Sequence, residues 1–182
     1  MTVRSLVLAA GLAACAGATG LGAADPAAMI TDHRIPEISG IVAAESHDGF
    51  WVHNDSGHGS VLYGIDRSGS VVATVTIDGG PAFDWEDLTA YRLNGVRHLV
   101  IGDFGDNFAV RAELQLLAIV EPTLAADAVA QQAITVEAAW IRRFRLPGGA
   151  ADCEGLAWDP RDGRFLILSK REDPARLFAL PA

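Results

Sequence analysis

Oxygen-bearing side chains gather in two short stretches of the chain, each following an apolar run. "NDSG" covers Asn54 to Gly57 after "GFWVH", and "GDFGDN" covers Gly102 to Asn107 after "HLVI". In a turn these residues have an ordinary use, because Asp and Asn bond nearby backbone and Gly supplies a positive φ. Their oxygens are also the ligands that hard cations prefer. More acids open three further apolar runs: Glu37 in "EISGIVAAE", Asp84 and Glu86 in "DWEDLTAYR", and Asp152 and Glu154 in "DCEGLAWDP". Carboxylates crowded together repel one another unless a cation joins them or some take up protons. Asp84, Glu86, Asp103, Asp152 and Glu154 are the candidate metal ligands, and Glu37, Asn54, Asp55, Asp106 and Asn107 are further candidates for the same face. An all-oxygen set fits Ca²⁺ ahead of Mg²⁺.

Other chemistry finds less support. Asp55, Ser56 and His58 invite a triad, but close neighbours in sequence seldom present triad geometry, and no G-x-S-x-G elbow occurs. His33, His47, His53 and His98 lack the spacing of a helical metal motif and are expected in surface or turn roles. Cys153 lies between two acids, which raises a thiol pKa, so a packed side chain is expected rather than a nucleophile.

Strands must position these groups. Each opener is followed by a second strand candidate, "GFWVHND", "RHLVIGD" and "GRFLILSK", and by a third, "VLYGID", "LQLLAIVE" and "RLFAL". A fourth, "SVVATVTI" or "WIRRFRL", follows in the first two copies. Turn signals such as "SHDG", "DRSG", "LNG" and "PRDG" divide the strands. Four-stranded antiparallel units at roughly 40–50-residue spacing predict an all-β, β-propeller-like domain over residues 37–182, with two complete blades and most of a third. "EPTLAADAVAQQA" reads as an inserted peripheral loop or short helix. A propeller closes with roughly four to eight blades, so the chain is expected to be a truncated ring or to self-associate through an open blade edge.

This topology brings the acids together. The start of a blade's first strand and the end of its second share one face of the disc. Residues two apart on a strand point the same way, so Asp84 with Glu86, Asp152 with Glu154, and Glu37 with Ser39 are expected to aim into a central channel. Ile38, Trp85 and Cys153 then point away. Asp55 and Asp103 are expected at matching places in two copies. The four tryptophans are expected to pack between blades, and Arg142, Arg143 and Arg145 to lie on an outer strand.

The chain has 182 residues, with 23 acidic and 14 basic side chains and a formal net charge of −9. That balance disfavours nucleic acid as a partner. "MTVR" followed by "SLVLAAGLAAC" has the form of an export signal over residues 1–24, with residues 25–36 as a linker. Leu12 to Cys15 resembles a bacterial lipobox, whereas Gly22-Ala23-Ala24 suits an ordinary signal peptidase. The expected location is periplasmic, secreted or on the cell envelope, with membrane contact only through an N-terminal lipid. If Cys15 is lipidated or removed, Cys153 has no disulfide partner.

On "SGI" with "WVHNDSG", "DWEDL", "GDFGDN" and "DCEGLAWDPRDG" with "LSKR", the sequence resembles an uncharacterised group of exported bacterial β-propeller proteins. Its "D-x-E-G-L" opener also resembles those of phytase-like, esterase-like propeller domains and, more loosely, calcium-dependent propellers of the gluconolactonase and paraoxonase type. The resemblance implies a six-bladed ring and a metal at the channel mouth, and leaves the reaction open. The sequence carries no counterpart of the later blades, as expected of a fragment or a truncated product, and Cys153 and Gly155 stand where Ala is expected. Two functions follow as expectations: binding of a small molecule or protein at a cation-holding acidic face, or metal-dependent hydrolysis of a phosphoester, lactone or ester.

Overall fold

The structure, a computed structural model, describes residues 26–125 and 131–182. The leader and Cys15 lie outside the described residues. Twelve strands form three sheets, and no helix occurs among the described residues. The first sheet contains β1 (Ile38–Ala43), β2 (Gly49–Asn54), β3 (Val61–Asp66), β4 (Val71–Asp78) and β8 (Gln132–Glu137). The second contains β5 (Trp85–Leu93), β6 (Val96–Asp103), β7 (Leu114–Val120) and β9 (Trp140–Phe144). The third contains β10 (Cys153–Asp159), β11 (Arg164–Ser169) and β12 (Leu177–Pro181).

The turns have the expected chemistry. Leu93 pairs with Val96 across Asn94 and Gly95, whose φ angles of 50° and 81° are the left-handed pair of a two-residue hairpin. Only Gly adopts the second of these without a Cβ penalty.

The insertion departs from expectation. Its last two residues, Gln132 and Ala133, begin β8, which pairs in parallel with β4 from Ala73↔Gln132 to Asp78↔Glu137. The β-branched alternation of "ITVE" explains this, because Ile134 and Val136 pack on the core beneath while the backbone satisfies the open edge of β4. The first sheet therefore has five strands rather than four. The chain then returns to the second sheet, where β9 pairs antiparallel with β7.

Two apolar layers join the sheets. Between the first and second lie Trp51, Leu62, Val75, Trp85, Leu99, Ile101 and Leu117. Between the second and third lie Val100, Phe104, Leu116, Cys153, Phe165 and Ile167, flanked by Trp140 and Trp158. Each fully buried large side chain contributes about 1.5–3 kcal/mol. A third cluster covers the other face of the first sheet, where Ile35 packs with Val52, Tyr63 and Ile65. Trp51 and Trp85 thus serve one layer, and Trp140 and Trp158 the other. Arg142 and Arg143 lie on β9, while Arg145 follows it.

Two expectations about single residues change. His53 is fully buried, edge-on to Trp85, and its burial holds the imidazole pKa below the usual value. His98 is buried beside Tyr91. Both lie on second strands of sheets packed on both faces, a placement that helix-spacing rules do not address. Cys153 is fully buried as expected, and burial together with Asp152 pushes its thiol up to about 12.

Candidate metal centre

β1 and β10 both lie against β5, so the three openers stand side by side. Their backbones are cross-linked. Ser39 Oγ donates to the Glu86 carbonyl at 2.6 Å, joining the first sheet to the second. The Asp87 carboxylate accepts from Leu88 N at 2.7 Å and Leu156 N at 2.6 Å, joining the second to the third. Asp87 was not singled out from the sequence. Its signal was the fourth position of the opener, where the other two copies carry Gly40 and Gly155.

Each opener also contains a register shift: between Ile38 and Ile41, Trp85 and Asp87, and Cys153 and Gly155. A bulge adds a residue to one strand and re-aims its side chains. Trp85 and Cys153 still turn into the core, whereas Ile38 is exposed.

The carboxylates form two overlapping groups. Oxygens of Asp55, Asp84 and Glu86 lie within 4.8 Å of one another, as do those of Glu86, Asp152 and Glu154. Glu86 belongs to both. It is only 5% exposed, and no hydrogen-bond donor or cation among the described residues pairs with its carboxylate. Burial pushes its pKa up to about 8, helped by the charges of Glu154, Asp55, Asp84 and Asp152. Burial and Asp55 likewise raise Asp84. Gly105 presses its backbone onto the pair: a Cβ there would stand 2.2 Å from Glu86 Oε1 and 2.5 Å from Asp84 Oδ2. Any side chain at that position would enter the space before the two carboxylates.

The other acidic candidates hold the loops. Asp103 is fully buried and its oxygens are engaged by Phe83 N, Asp84 N, Arg111 and Gln115 Nε2, at 2.7–3.2 Å. It supports the start of β5 and stands outside the two groups. Asn54 has the same role, taking Glu37 N at 3.2 Å and donating to Arg34 O at 2.8 Å. The registers Ile38↔Asn54 and Trp85↔Asp103 make Asn54 the counterpart of Asp103. Asp55 lies one residue further on. The expected match between Asp55 and Asp103 is corrected accordingly, and a one-residue offset turns a side chain to the other face.

Asp106 caps its own loop, accepting from Val110 N and Arg111 N, while its backbone N donates to Asp152 Oδ1 at 2.9 Å. Asn107 Oδ1 accepts from Arg171 at 2.6 Å. Glu37 is exposed, with His58 3.7 Å away. "GDFGDN" thus fixes backbone and orients Asp152, and its contribution to the carboxylate groups is the bare backbone of Gly105.

Two basic residues from the "LSKR" stretch reach the second group. Lys170 Nζ lies 2.7 Å from Glu154, and Arg171 Nε lies 3.1 Å from Asp152 Oδ2. Asp152 Oδ2 is buried, and the ion pair with Arg171 rather than a hydrogen bond is what engages it. Hard oxygen donors, the carboxylate of the buried Glu86 without a donor among the described residues, and the close bare backbone of Gly105 suit a divalent cation such as Ca²⁺. No protein-family model, curated protein or solved structure matches the chain.

Proposed function

We propose that this is an exported protein of β-propeller type that holds Ca²⁺ at a Glu86-centred cluster and uses that face to bind a ligand. The single observation behind the reading is Glu86, a buried residue whose carboxylate is shared by two groups of acids and meets no donor among the described residues. A carboxylate in that position is costly to ionise alone. A divalent cation would offset the cost, with its companion ligands drawn from one of the two groups, Asp55 with Asp84 or Asp152 with Glu154. The side-by-side openers support the propeller reading, and the N-terminal leader supports export. Thermal unfolding tests the cation: Ca²⁺ should raise the melting temperature of the wild type and leave Glu86→Gln unmoved. Equal response of the two would overturn the reading.

The raised pKa of Glu86 favours a second reading. A carboxyl with a raised pKa can exchange protons with substrate or water, so in a metal-dependent hydrolase Glu86 would act as proton acceptor beside the ion rather than as its ligand, because direct binding to a cation lowers a carboxyl pKa. Ester, lactone and phosphoester panels with and without a chelator separate the two. Chelator-sensitive turnover lost in Glu86→Gln would establish hydrolysis; no turnover alongside Ca²⁺ binding would leave binding.

A further inference from the structure

The two carboxylate groups differ in how their charge is balanced. Around Glu86, Asp152 and Glu154 the chain supplies its own cations: Lys170 on Glu154 and Arg171 on Asp152. Both are anchored there. Lys170 N donates to Asp152 O at 2.8 Å, and the Arg171 guanidinium is also held by Asn107. Arg171 adopts a φ of 64°, a left-handed conformation uncommon outside Gly, Asn and Asp. Around Asp55, Asp84 and Glu86 the arrangement differs. Arg111, whose charge reaches Asp84, makes its hydrogen bonds to Asp103 and to the carbonyls of Gly105 and Asp103 instead.

Resting on the cation reading above, we infer that Lys170 and Arg171 are tethered counter-ions that reserve Asp152 and Glu154. A single divalent cation enters at Asp55, Asp84 and Glu86, and a second is excluded while the two basic side chains stay in place. A cation at the second group would meet two positive charges already within ion-pair distance of its ligands, and like charges brought that close repel one another. The pair therefore sets both the number and the place of the ions.

Equilibrium dialysis of the full chain against CaCl₂ near neutral pH reads this directly. The wild type should take up one Ca²⁺ per chain. Asp84→Asn should weaken that uptake by roughly tenfold or more, while Glu154→Gln leaves it within roughly threefold. The double variant Lys170→Gln with Arg171→Gln should gain a second Ca²⁺, and Lys170→Arg with Arg171→Lys, which keeps both charges, should behave as wild type. Circular dichroism on each variant confirms that it is folded. Two ions on the wild type, loss of uptake in Glu154→Gln with retention in Asp84→Asn, or no added ion in the folded double variant would each overturn the inference while leaving a cation at the cluster. No uptake by the wild type would overturn the cation reading and, with it, this ordering.

Discussion

The first and third sheets both pack on the second, yet among the described residues only the first is closed on its other side. Its far face carries Val52, Tyr63 and Ile65 beneath Ile35 and Ile30, and its edge is paired by β8. The third sheet turns Phe165 and Ile167 inward and leaves Leu168 47% and Leu177 64% exposed. The second sheet shows what those outward positions do elsewhere. By register, Val100, Leu116 and Ala118 correspond to Leu166, Leu177 and Ala179. The first three are fully buried under the third sheet. The same strand pattern therefore serves as an interior in one sheet and as a surface in the next, and only the neighbour distinguishes them.

The largest expected effect separates the two faces of the third sheet. Phe165→Ala should cost about 3–5 kcal/mol in urea unfolding, whereas Leu168→Ala should cost under about 1 kcal/mol. Similar losses would mean that the outer face is covered in solution. If a second copy covers it, as the self-association expected from the sequence would require, Leu168→Lys with Leu177→Lys should abolish association measured by analytical ultracentrifugation and leave the monomer folded.

A next contrast lies between two buried carboxylates of opposite behaviour. Burial pushes Glu121 up, but Trp51 Nε1, the amides of Glu45 and Ser46, and Arg97 hold it below its ordinary value. It therefore stabilises the fold above the ordinary Glu range and loses that contribution as pH falls through the lowered folded value. Glu121→Ala, which strands these donors, should cost about 3 kcal/mol at neutral pH. Glu86 has the reverse sign. Its folded pKa lies above the unfolded one, so without added cation stability should fall as pH rises from 4.5 to about 8. Glu86→Gln should flatten that slope in melting temperature. The smallest effect is expected at the exposed pair Arg143–Glu113, where Arg143→Ala should change stability by under about 0.5 kcal/mol.

Strand periodicity and turn residues made most of the sheet architecture legible. "GFWVHN", "VRHLVIGD" and "RFLILS" each form a second strand, and the openers align beside one another as the repeat implied. β8 was not legible, because parallel pairing with β4 depends on a distant edge that no local pattern reports. The candidate site was legible in part. The spacing of Asp84 with Glu86 and of Asp152 with Glu154 pointed to groups that the structure brings together. It could not show that Asp103 is saturated by backbone and side-chain donors, or that Lys170 and Arg171 reach back to the acids. Those facts depend on bulges and on loop paths set by tertiary contacts.

The excursion of the chain from β7 to β8 and back to β9 has a consequence for synthesis. The N-terminal sheet cannot acquire its last strand until Glu137 has been made, by which time three strands of its neighbour are already present. A ribosome-bound product shorter than that would carry the bare edge of β4, a template for mispairing with other nascent chains. The two sheets are thus expected to mature together rather than in sequence order.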